Sequence, residues 1–528
     1  MKLQKLLSPL LCLSLLFSLP AFAEPDDNTC PAAADQKDKK DQGDQKGEKV
    51  PDKPEKEEKP KESKGSVKIG GSELRYTTST GTMPILNDEG KVRANIFYVY
   101  YAATDSKGKR LAEASAAQRP ITFCFNGGPG SSAVWLHLGG LGPKRVEATL
   151  ENKKPTPITN IVDNPNTLLD STDLVFIDPV ATGLSRPAKG EKEDQFLGVN
   201  EDIECVGEFI RLFTTREQRW ASPKFLCGES YGGIRGAGLT EYLESKHGLY
   251  LNGLMIISGL LNYQNLSGAP GNEIAWALSL PAFTATAYYH KKLGADLQNG
   301  TLEQAVTESR KFAFGDYLLA LFKGNTLGKE ERKRIASQLG RLTSLPEDLI
   351  LDQELRPDSD LFRRMLLKKE GKIIGGYDAR ILAEDNSNFQ NGPEFDPSAS
   401  FVRGGISASI NNYVRTTLGY QSDLPYRVMA PVPWNWKSYS NRYVSMEEKL
   451  AKAMKENPSM KVLLLVGRRD LVVPWESMKY SVDHLSLPES LRANIQFAEY
   501  ESGHMMYFNP PDAVKLHKDA ADFISVSK

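Results

Sequence analysis

Residues 224–244 read KFLCGESYGGIRGAGLTEYLE, and this stretch decides the fold. An apolar run, KFLCG, is followed by a glycine-flanked serine and then by a sequence with helical spacing. Gly228-Glu229-Ser230-Tyr231-Gly232 has the G-x-S-x-G pattern of a nucleophile elbow. A strand that turns abruptly into a helix leaves no room for side chains at Gly228 and Gly232. It strains the serine backbone and holds the Ser230 hydroxyl at the sheet edge, beside a helix N-terminus that favours developing negative charge. A chance glycine-rich turn is the competing explanation, and the strand–turn–helix context weighs against it.

Further apolar runs lie on both sides of the elbow. They are ITFCFN (121–126), DLVFID (173–178), GLMIISG (253–259), KVLLLVG (461–467) and IQFAEY (495–500). Helical spacing separates them, as in 201–213, where Ile203, Val206, Ile210 and Phe213 recur. Apolar strands alternating with helices predict a mostly parallel sheet covered on both faces. ELRYTTSTGTMPIL (73–86) and ANIFYVYYAA (94–103) predict an N-terminal meander, and 511–525 a closing helix. Between about 260 and 459 the pattern becomes mainly helical and reads as an insertion ahead of the last strands.

A serine nucleophile needs a base, and the chain has six histidines. His504 stands apart: it follows IQFAEY in a loop opened by Gly503, where a doubly wound sheet presents side chains to a ligand. Asp470 follows KVLLLVG, with Pro474 to hold its loop, and could orient His504. Alone it would read as a surface aspartate paired with Arg468 or Arg469. The chain order Ser230, Asp470, His504, each after a predicted strand, favours the triad. Gly127, Gly128 and Gly130 in FNGGPGSSA (125–133) let backbone approach a substrate, so the N–H groups of Gly128 and Tyr231 are the candidate oxyanion donors.

NGGPGSS, GESYGG, GRRDLVVP and SGH, in this order, resemble the serine carboxypeptidase family of α/β-hydrolases. The resemblance covers most of the chain after about residue 70 and is weakest in the helical insertion. It implies an α/β-hydrolase fold with a helical cap. It also implies release of C-terminal amino acids from a peptide substrate and no metal or organic cofactor. A homodimer is a further implication, because family members often pair. Asn126 and Glu229 would bind the substrate's terminal carboxylate, which requires a proton on one of the two carboxyl groups. Three departures stand out: Cys124 replaces a tryptophan, Ser131 a cysteine, and Gly140 a second glutamate. His137, close to Gly140 in sequence, is a candidate stand-in, with helix packing as its other reading. An esterase or acyltransferase with the same triad, or a non-catalytic binding protein on this fold, are the alternatives.

The flanks bound the setting. Residues 1–23 carry Lys2 and Lys5, a leucine-rich core and Ala21-Phe22-Ala23, which reads as a signal peptide. Cys12 follows no lipobox, so a lipid anchor is not expected. Periplasmic or secreted export follows, with no stable membrane insertion. Residues 35–64 hold ten lysines and ten acidic residues, with Val50 the one large apolar side chain, so 24–65 reads as a disordered linker. With 66 basic and 67 acidic residues, no charge excess points to nucleic acid. After the leader, Cys30, Cys124, Cys205 and Cys227 show no metal spacing and do not require disulfides.

Overall fold

The computed structural model describes residues 58–148, 160–266, 268–385 and 395–528. The expected signal peptide and most of the expected linker lie outside them. Within them the main sheet runs through β1 (Lys61–Ile69), β2 (Ser72–Leu86), β3 (Val92–Ala103), β4 (Ile121–Phe125), β5 (Asp173–Ile177), β6 (Lys224–Glu229), β7 (Gly253–Ile257), β8 (Lys461–Gly467) and β9 (Ile495–Tyr500). Their order is β1-β2-β3-β5-β4-β6-β7-β8-β9, with Arg186–Pro187 paired beside β3. β2 and β3 form the expected antiparallel meander, β1 adds an unexpected strand to it, and β3 joins β5 antiparallel. From β5 onward every neighbour is parallel. This is the mostly parallel, helix-covered sheet of an α/β-hydrolase.

The apolar runs of β4 to β8 are continuous because both faces of each strand are buried, whereas the edge strand β9 buries only Ala498 and Tyr500. Successive side chains alternate faces. Val462, Leu464 and Val466 of β8 join one core, with Phe209, Phe213 and Leu450 from the covering helices. Leu463 and Leu465 join the other, with Leu516 and Phe523 of the C-terminal helix Pro510–Ser527. Burying one such side chain contributes about 1.5–3 kcal/mol, so the alternation fixes strand register strongly.

Two boundaries differ from expectation. β1 begins at Lys61, so Lys61–Lys64 of the charged run are strand rather than linker. Lys61 pairs with Thr80 and Lys64 with Thr77 along the long β2. Backbone pairing tolerates charged side chains there because an edge strand keeps them in water. At the other end, helix Glu447–Glu456 does not belong with the insertion. Its Leu450, Ala453 and Met454 are buried in the sheet's own core, and its Lys449 and Lys452 bind Glu241 on helix Gly232–His247.

The rest of the insertion is mainly helical, as its spacing predicts. Helices Ile274–Tyr289, Leu302–Phe312 and Lys329–Thr343 pack together, and Phe283 stacks on Phe362 at 4.3 Å. It also carries a short hairpin, Lys372–Ile374 with Leu382–Glu384. That hairpin brings Gly376–Ala379 down onto the ends of β8 and β9. Ala379 N donates to Arg469 O, and His504 N to Tyr377 O. Among the described residues, no helix is long and apolar enough to cross a membrane.

Candidate active site

β6 ends at Glu229, and helix Gly232–His247 starts three residues later. Ser230, between them, has φ of 61°, a left-handed conformation that costs a non-glycine residue about 1–3 kcal/mol. Backbone bonds hold it there: Ser230 N donates to Ile257 O, and Gly233 N to Ser230 O. A methyl group on Gly228 would run into the Gly232 carbonyl and approach Phe125 at 2.9 Å. One on Gly232 would approach Phe125 O at 3.2 Å, a milder conflict. The elbow glycines are therefore steric requirements of this turn.

The glycine loop after β4 lies directly against the elbow. A methyl group on Gly127 would strike the Tyr231 nitrogen and come within 2.7 Å of Glu229 O. Gly128 follows in a left-handed conformation, φ 102°. A residue outside the motif fastens the two segments. Arg235, 1% exposed, binds Asn126 O and the Asp202 carboxylate (2.8 Å), with its guanidinium over the Phe125 and Tyr231 rings. Sequence reading missed it because an arginine in a helix ordinarily faces water.

Asp470 and His504 arrive from the ends of β8 and β9. His504 Nδ1 donates to Asp470 Oδ2 at 2.6 Å. Asp470 is fully buried, and its other oxygen accepts the N–H groups of Val472 and Val473, each at 2.9 Å. It is not the surface partner of its neighbours: Arg468 binds Glu499 and Glu303, and Arg469 binds Glu501. Burial opposes the imidazolium of His504, but the Asp470 carboxylate outweighs it and raises the pKa above the ordinary histidine value. Burial likewise raises Asp470, against the pull of His504. Tyr377 stands edge-on to His504 at 5.2 Å.

Ser230, His504, Asn126, Gly128 and Glu229 all line one cavity of about 250 Å³, which Trp135, Tyr377, Arg403 and Met429 complete. Ser131, where the resemblance expects a cysteine, accepts the Trp135 indole N–H at 3.0 Å and so fixes that wall. Cys124, in place of the tryptophan, is buried in β4 opposite Cys227 of β6.

Glu229 is buried, and Tyr507 donates to its Oε2 at 2.9 Å. The Asn126 side chain is a second partner. Burial pushes the Glu229 pKa up to about 7, against these bonds and the field of His504. Gly140 explains the missing second glutamate. A methyl group there would meet the Tyr507 ring at 2.9 Å, so the aromatic side chain fills the space. Tyr507 was missed in the sequence, though it lies three residues beyond His504. His137 does not substitute: it is buried away from the cavity, stacked on Phe176 at 4.5 Å and bonded to the Tyr101 hydroxyl at 2.7 Å. Burial holds its pKa down to about 3, so it is a neutral packing residue.

The remaining histidines are occupied elsewhere. His247 binds Glu208, His290 the Ala379 carbonyl, His484 the Tyr480 carbonyl and His517 Asp170. Among the described residues, no group of three or more His, Cys, Asp or Glu could hold a metal ion.

Residues 75–307, including the glycine loop and the elbow, match the serine carboxypeptidase family model. Over this stretch, less than half of its length, the chain is similar to the serine carboxypeptidase family. The match ends before Asp470 and His504. Carboxypeptidase Y homolog A of Pyricularia oryzae is 26% identical over 164 residues, 31% of this chain. The aligned part spans a quarter (25%) of that relative's length. Among solved structures, a proline iminopeptidase of Mycobacterium smegmatis aligns over 88% of this chain and 98% of its own, at 12% identity and a TM-score of 0.33. A soluble variant of the Saccharomyces cerevisiae monoglyceride lipase aligns over 85% and 97%, at 11% identity and a TM-score of 0.35.

Proposed function

We propose that this protein is a member of the serine carboxypeptidase family and a serine-type carboxypeptidase acting through Ser230, His504 and Asp470. The observation that carries the reading is Glu229: a buried carboxyl beside the nucleophile, on the wall of the same cavity, with a pKa of about 7. A peptide's terminal carboxylate is ionised above about pH 3.5, so a protonated Glu229 can donate to it where an ionised one would repel it. The Asn126 amide is the second donor. This places the last peptide bond over Ser230.

Ser230 Oγ then attacks the carbonyl carbon while His504 Nε2 takes the hydroxyl proton. Asp470 holds the imidazole tautomer and stabilises the imidazolium. The N–H groups of Gly128 and Tyr231 donate to the oxyanion, and each such donor contributes roughly 2.7–4 kcal/mol in comparable hydrolases. His504 returns the proton to the departing amine, the C–N bond breaks, and the C-terminal amino acid leaves. Water, deprotonated by His504, attacks the acyl ester and restores Ser230.

The test is a pair of peptides that differ only in a free or amidated C-terminus. Cleavage of the free form by a margin of about a hundredfold or more is expected, since a buried carboxyl left without its partner loses strongly. Equal cleavage of both, or cleavage of neither with ester turnover retained, makes the enzyme an esterase or acyltransferase instead. Failure of a fluorophosphonate to label Ser230 would support a non-catalytic binding role.

A further inference from the structure

The cavity that holds Ser230 has one strong charge that the proposed chemistry does not use. Arg403 lies on helix Pro397–Thr416, one turn beyond Ala399, and both line the cavity with Ser230, His504 and Trp135. The side chain is exposed. Arginines in the surrounding insertion hold partners. Arg334, Arg341, Arg356, Arg363 and Arg380 each bind a carboxylate, and Arg415 binds the carbonyls of Asn411 and Ser422. Arg403 has no hydrogen-bond or ion-pair partner among the described residues.

Arg403 and Met429 are also shared with an adjoining cavity of about 510 Å³, lined further by Glu193, Ser407, Tyr426 and Arg427. The acid there is already occupied, because Glu193 binds Arg427 at 2.9 Å. The acid that lines the catalytic cavity is Glu229, buried and held by Tyr507 and Asn126. The wall between the two cavities is registered to the glycine loop: Ala430 N donates to Gly130 O, and Ser132 N to Val428 O. A substrate anchored at Ser230 therefore shares its cavity with a guanidinium that no described carboxylate neutralises.

We propose that Arg403 is a specificity residue that reads an acidic side chain of the peptide substrate, so that this enzyme prefers peptides with Asp or Glu near the C-terminus. The proposal rests on the carboxypeptidase reading only for the orientation of the peptide. A guanidinium forms two parallel hydrogen bonds with a carboxylate and none of that kind with a carboxamide, so glutamate and glutamine are the discriminating pair. The terminal carboxylate is not the intended partner, because Asn126 and Glu229 already serve it.

The test uses N-acetyl tripeptides with Glu or Gln placed in turn at each of the three positions, as free acids and as amides. For the wild type, kcat/KM is expected to favour Glu over Gln by about tenfold at one position, with the ratio shrinking as salt rises. Arg403→Gln should bring that ratio near one, and Arg403→Glu should turn the preference towards Lys at the same position. A ratio unchanged by Arg403→Gln overturns the proposal. So does an equal loss on every free-acid peptide that spares the amides, which would assign Arg403 to the terminal carboxylate. Equal cleavage of acids and amides overturns the carboxypeptidase reading, while the Glu-to-Gln ratio still judges Arg403. If turnover is undetectable, calorimetric binding of the Glu and Gln peptides to Ser230→Ala decides, and equal affinities overturn the proposal.

Discussion

The segment Lys224–His247 and the insertion between β7 and β8 face the same cavity, but they are built by opposite means. In the first, the turn itself answers to its neighbours in sequence. Gly228 must lack a side chain because Gly232 is four residues on, and Ser230 is strained because a strand and a helix meet there. In the second, Tyr377 and Arg403 reach the cavity from stretches with no local signature. Tyr377 is placed by distant bonds such as Gly503 N to Asp378 Oδ2 and Ala379 N to Arg469 O, and Arg403 by the docking of helix Pro397–Thr416. Local geometry builds the nucleophile turn, and long-range packing builds the rest of the site around it.

That contrast can be broken most sharply at Ser230. Ser230→Ala is expected to lower kcat by about 10⁴-fold or more on peptides and esters alike, with the fold retained. Ester turnover within tenfold of wild type, on protein with an unchanged Tm, would detach the elbow from the chemistry. The next largest effect tests packing. Arg235→Met leaves Asp202 buried without its partner, and urea unfolding should register a loss of about 3–5 kcal/mol. A loss below about 1 kcal/mol would show that the elbow and the glycine loop stay together without the guanidinium.

Glu229 sharpens the comparison through pH. With its pKa at about 7, the carboxyl form that binds a terminal carboxylate is present below pH 7 and disappears as pH rises through it. Wild-type kcat/KM on free-acid peptides should therefore fall above pH 7 by about tenfold per unit. Glu229→Gln has no proton to lose and should abolish that alkaline limb, so an unchanged profile would remove Glu229 from substrate binding. The smallest effect belongs to Tyr507→Phe. The Tyr507 hydroxyl bonds to Glu229 and favours its ionised form, so its loss should raise the Glu229 pKa and move the alkaline limb to higher pH. A downward shift in the pH–rate profile would contradict that sign.

Much of the frame was legible in the sequence. Strands β4 to β8 appeared as apolar runs because burial on both faces leaves few polar positions, and β2, β3 and β9 showed as strand-like stretches. Asp470 and His504 were legible because each follows such a run. β1 was not, since its composition is that of the linker and backbone pairing to β2 decides its state. Tyr507 was hidden for a different reason: its role depends on the space left at Gly140, a residue far away in the chain. The helix Glu447–Glu456 was assigned to the insertion because amphipathic spacing shows that a helix has a buried face without naming what buries it.

By itself, the sequence determined the alternation of strands and helices, the elbow and the order of the three candidate catalytic residues. These follow from short-range sterics and from the period of apolar side chains, both written along the chain. Only the tertiary structure decided that Asp470 faces His504 rather than its adjacent arginines, that Tyr507 occupies the place of a second carboxyl, and that Arg403 finds no partner among the described residues at the cavity. Each of these depends on which distant side chain fills a given volume or neutralises a given charge, and that is set when the chain closes on itself.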